Sequence, residues 1–404
     1  MSSRTIIVGA GQAGVQVAIG LRQGGYTGEI ILAGKEPHVP YQRPPLSKQI
    51  LMKEWAAERC QLRHLEFYAE HNIDLLLGVA ASGLHSQSGL LSLDDGSEWT
   101  FDNLAICTGS RLNRLTVPGV DLPGIFYLRT IDEALKLSSA LEANKRLVII
   151  GGGYIGLEVA AAARGQGCKV TVVEALDQLL KRSALAPVAA WLQRRHETEG
   201  VRFCMGSKVA ALHGRERVEG VELGSGEVIA ADTVMVGVGV RPDLRWLEGS
   251  GITVGRGVRV DQTGRTNDAR IYAAGDVAEF QHPLLEGWQV LESVQNAVSQ
   301  GKLVAANMLG RREEYCDVPW FWSEQYDCKL QMAGIPRAGD RLVQRDNPDS
   351  GGFSLFTLSD GHLNAVQSLN SPRDYMLGRQ LISRGVETND DTLSNPHFNL
   401  KDLL

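Results

Sequence analysis

The most regular pattern in the chain is a short apolar run that stops at closely spaced glycines, followed by apolar positions at helical spacing. It first occurs in residues 4–36. An apolar run such as residues 6–8 is typical of a strand buried on both faces. The apolar positions in residues 15–21 predict one face of a helix, and residues 29–33 predict a second strand. The pattern therefore predicts a strand, a glycine turn, a helix and a parallel strand.

The glycines of this turn are spaced as G-x-G-x-x-G, at Gly9, Gly11 and Gly14. The first permits a tight turn, the second lets backbone approach a pyrophosphate, and the third lets the helix pack on the strand. The helix N-terminus then presents unpaired N–H groups to the phosphates. Glu36, just beyond the second strand, is placed to accept a hydrogen bond from a ribose hydroxyl. The alternative is a plain glycine-rich turn in another α/β protein.

The same order of elements recurs in residues 146–174, with glycines at Gly151, Gly153 and Gly156 and an acid at Glu174. Two complete units in one chain predict two bound dinucleotides. Proline and glycine are frequent in residues 118–124, which indicates a domain crossing. The second unit is therefore predicted to be inserted between two halves of the first domain.

Several polar residues follow predicted loops or strand ends and are candidates for contact with a flavin dinucleotide. The proline-rich loop of residues 37–45 is stiff enough to hold Arg43 against a pyrophosphate or flavin edge. Lys48 could lie against the flavin ring, or it could be a solvated lysine at a helix start. A strand at 103–107 leads to Thr108 and Gly109. A strand at 271–273 leads to Asp276, which could accept from ribityl hydroxyls or could cap a following helix.

Two acidic residues, Glu174 and Glu158, are candidate contacts of the second dinucleotide. A 2′-phosphate about 4 Å from Glu174 would meet roughly 4 kcal/mol of repulsion per charge at an effective dielectric of 20. The sequence therefore favours NADH over NADPH, although Lys181 and Arg182 lie near enough to keep the question open. Glu158 is either a carboxylate near the nicotinamide or a solvated helix residue, and its position in the fingerprint favours the first.

Length and composition limit the class of protein. At 404 residues the chain is long enough for two or three domains. Its net charge of −6 argues against a nucleic-acid binder. The six cysteines show no C-x-x-C spacing, which argues against a metal site or a disulfide redox centre and fits a reducing compartment. The first strand begins at once, without room for a signal peptide, and no apolar run predicts a membrane span. These features predict a cytoplasmic protein.

The C-terminal part differs in pattern. Alternating apolar runs between residues 330 and 369 predict a small antiparallel sheet, and residues 372–384 predict its helix. The aromatic residues of the segment PWFWSEQ are typical of a core. The polar residues 385–404 are expected to be loosely held.

In the combination of these motifs, the chain resembles the oxygenase-coupled, NADH-dependent ferredoxin reductases. The resemblance is carried along nearly the whole chain by GAGQAG, PYQRPPLSK, CTGS, GGGYIGLE, YAAGDVAEF, ESVQNAVSQ and PWFWSEQ. The segment of residues 41–51 has no cysteine, whereas disulfide-using relatives of similar fold carry a redox cysteine there.

This resemblance implies an α/β fold with two Rossmann-like dinucleotide-binding domains, as in glutathione reductase, plus a small α+β C-terminal domain. The implied domains are a discontinuous FAD domain (residues 1–113 and 244–318), an NAD domain (114–243) and a C-terminal domain covering the flavin (319–404). The implied reaction is hydride transfer from NADH to FAD, then two single-electron transfers to a [2Fe–2S] ferredoxin. That ferredoxin, expected to be acidic, would feed a Rieske dioxygenase or a cytochrome P450 in aromatic hydrocarbon catabolism.

The resemblance also implies residue roles. Lys48 and Glu158 are the expected catalytic residues, and we expect an ion pair between them. The expected FAD contacts are Gly9, Gly11, Gly14, Glu36, Arg43, Lys48, Thr108, Gly109, Asp276, Val294 and Trp322. The expected NADH contacts are Gly151, Gly153, Tyr154, Ile155, Gly156, Glu158, Glu174, Arg182 and Gly239. The candidate ferredoxin-docking residues are Arg311, Arg312, Lys329 and Arg337.

The chain departs from the family pattern at two positions: Lys35–Glu36 stands where many relatives have Asp-Glu, and Cys107 stands where alanine is common. The alternatives are a flavin NADH oxidase or peroxidase, and an apoptosis-inducing-factor-like redox interaction protein. The expected state is a monomer or weak homodimer that binds neither nucleic acid nor membrane.

Overall fold

The computed structural model describes residues 3–404. They form two compact units, each built from three stretches of chain. Unit 1 contains the residues up to Gln42, then Gln61–Arg111 and Arg241–Phe321. Unit 2 contains Arg43–Cys60, Leu112–Val240 and Trp322–Leu404.

The helices and strands are numbered here in chain order. The helices α1 to α8 span Gln12–Gln23, Leu65–Glu70, Ile131–Ala140, Tyr154–Gly165, Ala186–Thr198, Val294–Met308, Pro372–Arg384 and Asp390–Ser394. The strands β1 to β26 span Arg4–Val8, Glu29–Gly34, Ile73–Leu77, Ala81–His85, Leu90–Leu93, Glu98–Thr100, Asn103–Ile106, Ser110–Leu112, Ile125–Tyr127, Arg146–Ile150, Lys169–Val173, Arg202–Cys204, Val209–His213, Gly220–Leu223, Val228–Ala230, Thr233–Val236, Val240–Pro242, Val258–Arg259, Ile271–Ala273, Ala278–Gln281, Trp288–Gln289, Trp320–Gln325, Cys328–Gly334, Arg341–Asn347, Gly352–Ser359 and His362–Leu369.

Unit 1 is organised around a parallel sheet with strand order β19-β7-β1-β2-β3. The apolar run Ile6, Ile7 and Val8 in β1 is buried because β1 lies in the middle of this sheet. The helix α1 follows β1 and packs against α6. The predicted strand, glycine turn, helix and strand are all present in order.

Unit 2 repeats this arrangement in a parallel sheet with strand order β12-β11-β10-β16-β9. Its C-terminal part is a sheet with order β22-β23-β26-β25-β24, in which the last four strands pair antiparallel. The helix α7 packs against β23 and β26. The antiparallel sheet and the helix at residues 372–384 therefore match the sequence prediction.

The segment Arg43–Cys60 is part of unit 2, although the chain before and after it belongs to unit 1. Two hydrogen bonds to its backbone hold it there. The Ser138 hydroxyl in α3 donates to the carbonyl of Ile50 at 3.1 Å, and the Gln166 amide donates to the carbonyl of Met52 at 3.2 Å. This segment carries Lys48, so that lysine is fixed within unit 2.

Three helices, α3, α5 and α8, are absent from the sequence prediction, and one predicted helix is broken. The helix α3 begins at a capping box in which Thr130 and Glu133 satisfy each other's backbone N–H groups. The helix α5 has only a weak apolar stripe, and the sequence pattern from residue 197 onward predicts a strand where its last turn lies. The sequence pattern of residues 60–72 predicts one helix, whereas the structure has a 3₁₀ turn at Ala57–Cys60 followed by the short helix α2.

The expectation that residues 385–404 are loosely held is wrong. The Arg345 guanidinium in β24 is buried and lies 3.2 Å from the carboxylate of Asp374. Its remaining N–H groups donate to backbone carbonyls of the C-terminal segment, at Leu393, Asn395, Pro396 and Phe398. The C-terminal segment is thus held by this arginine together with the buried side chains of Leu393 and Leu400.

Among residues 3–404, none of the helices combines the length and the hydrophobicity that a membrane span requires.

Replacing Arg345 by lysine tests this explanation. Arg345→Lys keeps the positive charge near Asp374 but cannot reach several carbonyls at once, because an ammonium lacks the planar fork. We expect the free energy of unfolding to fall by about 1–3 kcal/mol and amide exchange to accelerate across residues 390–404. Exchange measured by mass spectrometry tests it; unchanged protection of that segment would contradict the explanation.

Candidate functional site

The first glycine loop, in unit 1, is shaped by backbone contacts that leave no room for side chains. Gly9 has a φ of +115°, and a Cβ on it would overlap the carbonyl of Cys107. A Cβ on Gly14 would overlap the carbonyl oxygen of Gly9. A Cβ on Gly11 would instead meet nothing within 4 Å. Two glycines therefore close the turn, and the third leaves open space at the N-terminus of α1, as a bound pyrophosphate requires.

The residues next to this loop fit a bound FAD. Thr108 follows β7, and its Oγ1 is buried without a hydrogen-bond partner among the described residues. Such an orphaned polar atom is costly unless something outside the chain satisfies it. Gly109 has a φ of +64°. Glu36 lies just beyond β2 and accepts a hydrogen bond from the Tyr41 hydroxyl.

Asp276 lies after β19 in a turn that leads into the strand β20. The alternative that it caps a following helix is therefore wrong, because no helix begins there. The neighbouring Gly275 N–H donates to Gln300 Oε1 at 2.8 Å, which ties this turn to α6. Val294 is the first residue of α6, which Ser293 caps by accepting from the N–H of Asn296. Unit 1 thus holds the predicted FAD contacts Gly9, Gly11, Gly14, Glu36, Thr108, Gly109, Asp276 and Val294.

The second glycine loop, in unit 2, has nearly the same geometry as the first. Gly151 has a φ of +112°, and a Cβ on it would overlap the carbonyl oxygen of Gly237. A Cβ on Gly156 would overlap the carbonyl oxygen of Gly151, whereas one on Gly153 would meet nothing within 4 Å. Gly239 has a φ of +91°, and its carbonyl accepts from the N–H of Asn113 at 3.0 Å.

The carboxylate of Glu174 lies at the end of β11 and is held by two backbone N–H groups. Its Oε2 accepts from Gly152 at 2.6 Å, and its Oε1 accepts from Leu176 at 2.8 Å. The acid is therefore fixed beside the glycine loop. Arg182 is exposed, in a turn that follows β11.

The start of α4 carries two further predicted NADH contacts. Ile155 has a side chain that is 45% exposed, which is unusual for isoleucine at the edge of a core. Burial raises the pKa of the Tyr154 hydroxyl, which lies 3.5 Å from Met332 Sδ.

Lys48 and Glu158 form a buried ion pair in unit 2. Lys48 Nζ lies 2.7 Å from Glu158 Oε2, and the two residues are only 9% and 4% exposed. The expected ion pair is therefore present, and the alternatives of a solvated lysine and a solvated helix glutamate are both wrong. Arg43 and Trp322 also belong to unit 2, where Arg43 Nη1 donates to the carbonyl of Arg129.

Four polar residues that the sequence prediction missed surround Glu158 or connect to it. The Ser47 hydroxyl donates to Glu158 Oε2 at 2.5 Å, and the Ser323 hydroxyl donates to Oε1 at 2.6 Å. Gln325 and His196 continue from Ser323 through further hydrogen bonds. They come from distant parts of the chain, so no local spacing could have indicated them.

Comparison with known proteins agrees with this geometry. The family described as pyridine nucleotide-disulphide oxidoreductase matches residues 3–301, and the one described as reductase C-terminal matches residues 320–404. The chain belongs to the pyridine nucleotide-disulphide oxidoreductase family. The oxidoreductase is 41% identical to rhodocoxin reductase of Rhodococcus erythropolis, over 98% of this chain and 93% of that protein. It is 38% identical to the ferredoxin–NAD(+) reductase component of the anthranilate 1,2-dioxygenase system of Burkholderia cepacia, over 99% of this chain and 98% of that protein.

A solved structure of the covalent putidaredoxin reductase–putidaredoxin complex has a chain 34% identical to this oxidoreductase. It superimposes with a TM-score of 0.96 and covers 99% of this chain and 98% of that one. These similarities confirm the predicted family, the fold with two Rossmann-like domains and a C-terminal domain, and the use of FAD and NAD by an oxidoreductase.

The position of Glu174 leads to a prediction about nicotinamide selectivity. Glu174→Gln removes the charge but keeps a carbonyl that can accept from Gly152. We expect kcat/KM for NADPH relative to NADH to rise at least tenfold, because the mutation removes a repulsion toward a 2′-phosphate that lies between about 1 kcal/mol per charge in water and roughly 4 kcal/mol per charge at an effective dielectric of 20. Steady-state kinetics with an artificial dye acceptor measure the ratio. Arg182→Gln serves as the second variant; a ratio that depends on Arg182 and not on Glu174 would overturn the assignment.

Proposed function

We propose that this protein transfers electrons from NADH to a [2Fe–2S] ferredoxin that supplies an oxygenase, a Rieske dioxygenase or a cytochrome P450, acting on aromatic compounds. The observation that carries the proposal is its similarity over almost the full length to the reductase component of a dioxygenase system and to a putidaredoxin reductase solved in complex with putidaredoxin. We further propose that this ferredoxin is acidic, that the enzyme is a cytoplasmic monomer or weak homodimer, and that NADH is the preferred donor.

The state of the thiols supports single-electron transfer over disulfide chemistry. All six cysteines are free, and residues 41–51 contain none. Burial raises the pKa of the Cys107 and Cys328 thiols to about 12. It also raises the pKa values of the Cys60, Cys168 and Cys204 thiols. Because the thiolate is the reactive form, these residues are poor redox nucleophiles.

The chain's own residues bind and orient, and none has to transfer a proton. FAD, when bound, accepts electrons as a pair from NADH and releases them singly. The glycine loop at Gly9 and the α1 N-terminus would hold its pyrophosphate, and the loop at Gly151 would hold that of NADH. Lys48 would supply a positive charge beside the flavin ring, and Glu158 keeps that charge in one place.

The domain boundaries remain a proposal. We assign residues 1–113 and 244–318 to FAD binding, 114–243 to NADH binding and 319–404 to a domain that covers the flavin. The matched ranges 3–301 and 320–404 agree with a change of domain near residue 319.

Four basic side chains are our candidates for ferredoxin docking. Arg311 lies 3.5 Å from Glu313, and Lys329 lies 3.8 Å from Glu324, so their charges are partly offset. The others are Arg312, which is exposed, and Arg337.

The docking proposal predicts that added salt lowers ferredoxin reduction steeply while NADH-to-dye activity changes little. We expect Arg312→Gln to raise KM for ferredoxin severalfold, and Arg215→Gln, which removes an exposed charge in the loop between β13 and β14, to have no effect. Equal effects of the two variants would remove support for ferredoxin docking at Arg312.

The proposed function is tested by anaerobic stopped-flow mixing of the FAD-loaded protein with NADH, followed by an oxidised [2Fe–2S] ferredoxin from an aromatic-ring oxygenase system. We expect fast bleaching of the flavin and then fast cluster reduction. Bleaching with no cluster reduction but rapid reoxidation by air would instead identify an NADH oxidase.

A further inference from the structure

The two oxygens of the Glu158 carboxylate have different partners. Oε2 receives the Lys48 ammonium at 2.7 Å and the Ser47 hydroxyl at 2.5 Å. Oε1 receives the Ser323 hydroxyl at 2.6 Å. Lys48 and Glu158 have proposed roles beside the flavin, whereas Ser323 has had no role so far.

Ser323 is the end of a longer hydrogen-bonded series, which we call the Ser323 relay: Tyr326, His196, Gln325 and Ser323. Tyr326 OH lies 3.0 Å from His196 Nδ1, and His196 Nε2 lies 2.8 Å from Gln325 Oε1. Gln325 Nε2 donates to Ser323 Oγ at 3.0 Å. His196, Gln325 and Ser323 are buried, and the relay joins α5 to β22 and to Glu158 in α4.

The chemistry of Glu158 fixes the direction of every bond in the relay. An ionised carboxylate only accepts, so Ser323 must donate to it, and the Ser323 oxygen is then left to accept from the Gln325 amide. The Gln325 carbonyl therefore faces His196 and requires a hydrogen on Nε2. In a neutral imidazole Nδ1 then accepts from the Tyr326 hydroxyl. All four donors thus point toward Glu158.

This relay is suited to holding an orientation and not to carrying protons. The Gln325 carboxamide cannot give up one proton and take another as a hydroxyl or imidazole does, so it interrupts proton transfer between His196 and Ser323. The hydrogen bonds of the relay instead fix orientation, because each side chain holds the next one in place. With Oε1 occupied by Ser323, the carboxylate cannot rotate, and Oε2 stays on Lys48.

We propose that Ser323, Gln325 and His196 are positioning residues that keep Glu158 Oε2 on Lys48 and so fix the Lys48 ammonium. The significance of that ammonium for electron transfer rests on the proposed function, whereas the positioning itself does not.

Charged groups surround the outer end of the relay. Burial is the main cause of a lowered pKa of His196, which favours the neutral ring required by the hydrogen-bond pattern. Arg195 also lowers the pKa of His196, and Glu199 raises it. The charged or titratable groups near His196 and Tyr326 are Arg164, Arg195, Glu199, Asp327 and Cys328.

The test compares two buried serines of the same sheet that each bond a buried carboxylate. Ser323 bonds Glu158, and Ser354 in β25 donates to Asp374 at 3.2 Å, away from the relay. Both are changed to alanine. The readout is the rate at which acetic anhydride labels Lys48 in the protein, measured by mass spectrometry relative to the exposed Lys53 in the same molecules.

We expect Ser323→Ala to raise the relative labelling rate of Lys48 about tenfold, Ser323→Thr to restore it, and Ser354→Ala to leave it unchanged. In the FAD-loaded protein, Ser323→Ala should also make the flavin midpoint potential more negative, since the positive charge is held less firmly. Equal labelling of Lys48 in the two alanine variants would overturn the proposal. If Ser323→Ala does not fold, Ser323→Cys, a weaker donor, takes its place with the same expected direction.

The role of His196 is tested in the same assay. In a protein that retains Ser323, His196→Phe should raise the labelling rate of Lys48. In the Ser323→Ala background, it should raise that rate little further, because His196 and Ser323 act on Glu158 through the same hydrogen bonds. Fully additive effects would exclude His196 from the relay. If the wild-type protein fails to reduce ferredoxin while the variants show the expected labelling differences, the proposed function alone is refuted. If the wild-type protein reduces ferredoxin and the variants show no labelling differences, the positioning role alone is refuted.

Discussion

Glu158→Gln is expected to lower the free energy of unfolding by about 3–5 kcal/mol, because it leaves the Lys48 ammonium buried without its counter-charge. The side chain keeps its length, so packing in α4 is nearly unchanged. The effect arises because Lys48 and Glu158 are 9% and 4% exposed, and water cannot take over the role of the missing carboxylate. Denaturant unfolding followed by circular dichroism measures it.

A second change should reverse most of that loss. Lys48→Met combined with Glu158→Gln removes both charges, and replacing a whole buried pair by uncharged groups is often nearly neutral for stability. The matched control is Glu227→Gln, which breaks the exposed pair with Arg202, where side chains are 49% and 57% exposed. We expect that change to cost less than about 1 kcal/mol. If the double variant were as unstable as Glu158→Gln alone, buried charge would not be the cause.

Gly151→Ala is expected to lower the stability of the protein, whereas Gly153→Ala, only two positions away, is expected to lower its affinity for NADH. Gly151 has a φ of +112°, and its Cβ would overlap the carbonyl oxygen of Gly237. The strained backbone alone costs about 1–3 kcal/mol, and the overlap adds to it. We expect the free energy of unfolding to fall by roughly 3 kcal/mol or more.

Gly153 caps α4 with a φ of −82°, which any residue can adopt, and its Cβ would meet nothing within 4 Å. We expect Gly153→Ala to cost about 1 kcal/mol of stability or less. Because the open space is where a pyrophosphate would lie, the affinity for NADH should fall about tenfold or more, or about 1.4 kcal/mol. Calorimetric titration with NAD⁺ and thermal unfolding separate the two effects. Unchanged NAD⁺ affinity in a stable Gly153→Ala protein would refute the predicted pyrophosphate position.

The parts of the fold that the sequence predicted are those with a local physical signal. The first and third glycines of each motif, in residues 9–14 and 151–156, lie at backbone contacts that a side chain would block, and the middle glycine leaves open space, so the motif alone indicated both loops. The helix α7 was predicted at its observed bounds because its apolar face is strong and it begins at Pro372. The capping box of Thr130 and Glu133 was an equally local signal for α3, and it was overlooked.

The parts that were missed depend on partners far apart in sequence. The polar composition of the chain end gave no reason to expect order, because its backbone carbonyls bind the guanidinium of Arg345 some fifty positions earlier. The two leucines that it buries, Leu393 and Leu400, are too few to form a recognisable pattern. The Ser323 relay connects side chains more than a hundred positions apart, such as His196 and Gln325. Spacing rules describe neighbours on one helix or strand, and they carry no information about such contacts.

The membership of Arg43–Cys60 in unit 2 has a consequence for recombining this enzyme with its relatives. A chimera that exchanges only the inserted stretch Leu112–Val240 would bring in a foreign α4 while keeping the native Lys48 and Ser323. Glu158 and two of its partners, Lys48 and Ser323, would then come from two parents, and mismatched contacts would weaken the hybrid. Crossovers that also carry Arg43–Cys60 and the strand β22 keep these partners from a single parent, and such hybrids should be the ones that survive selection in a shuffled library.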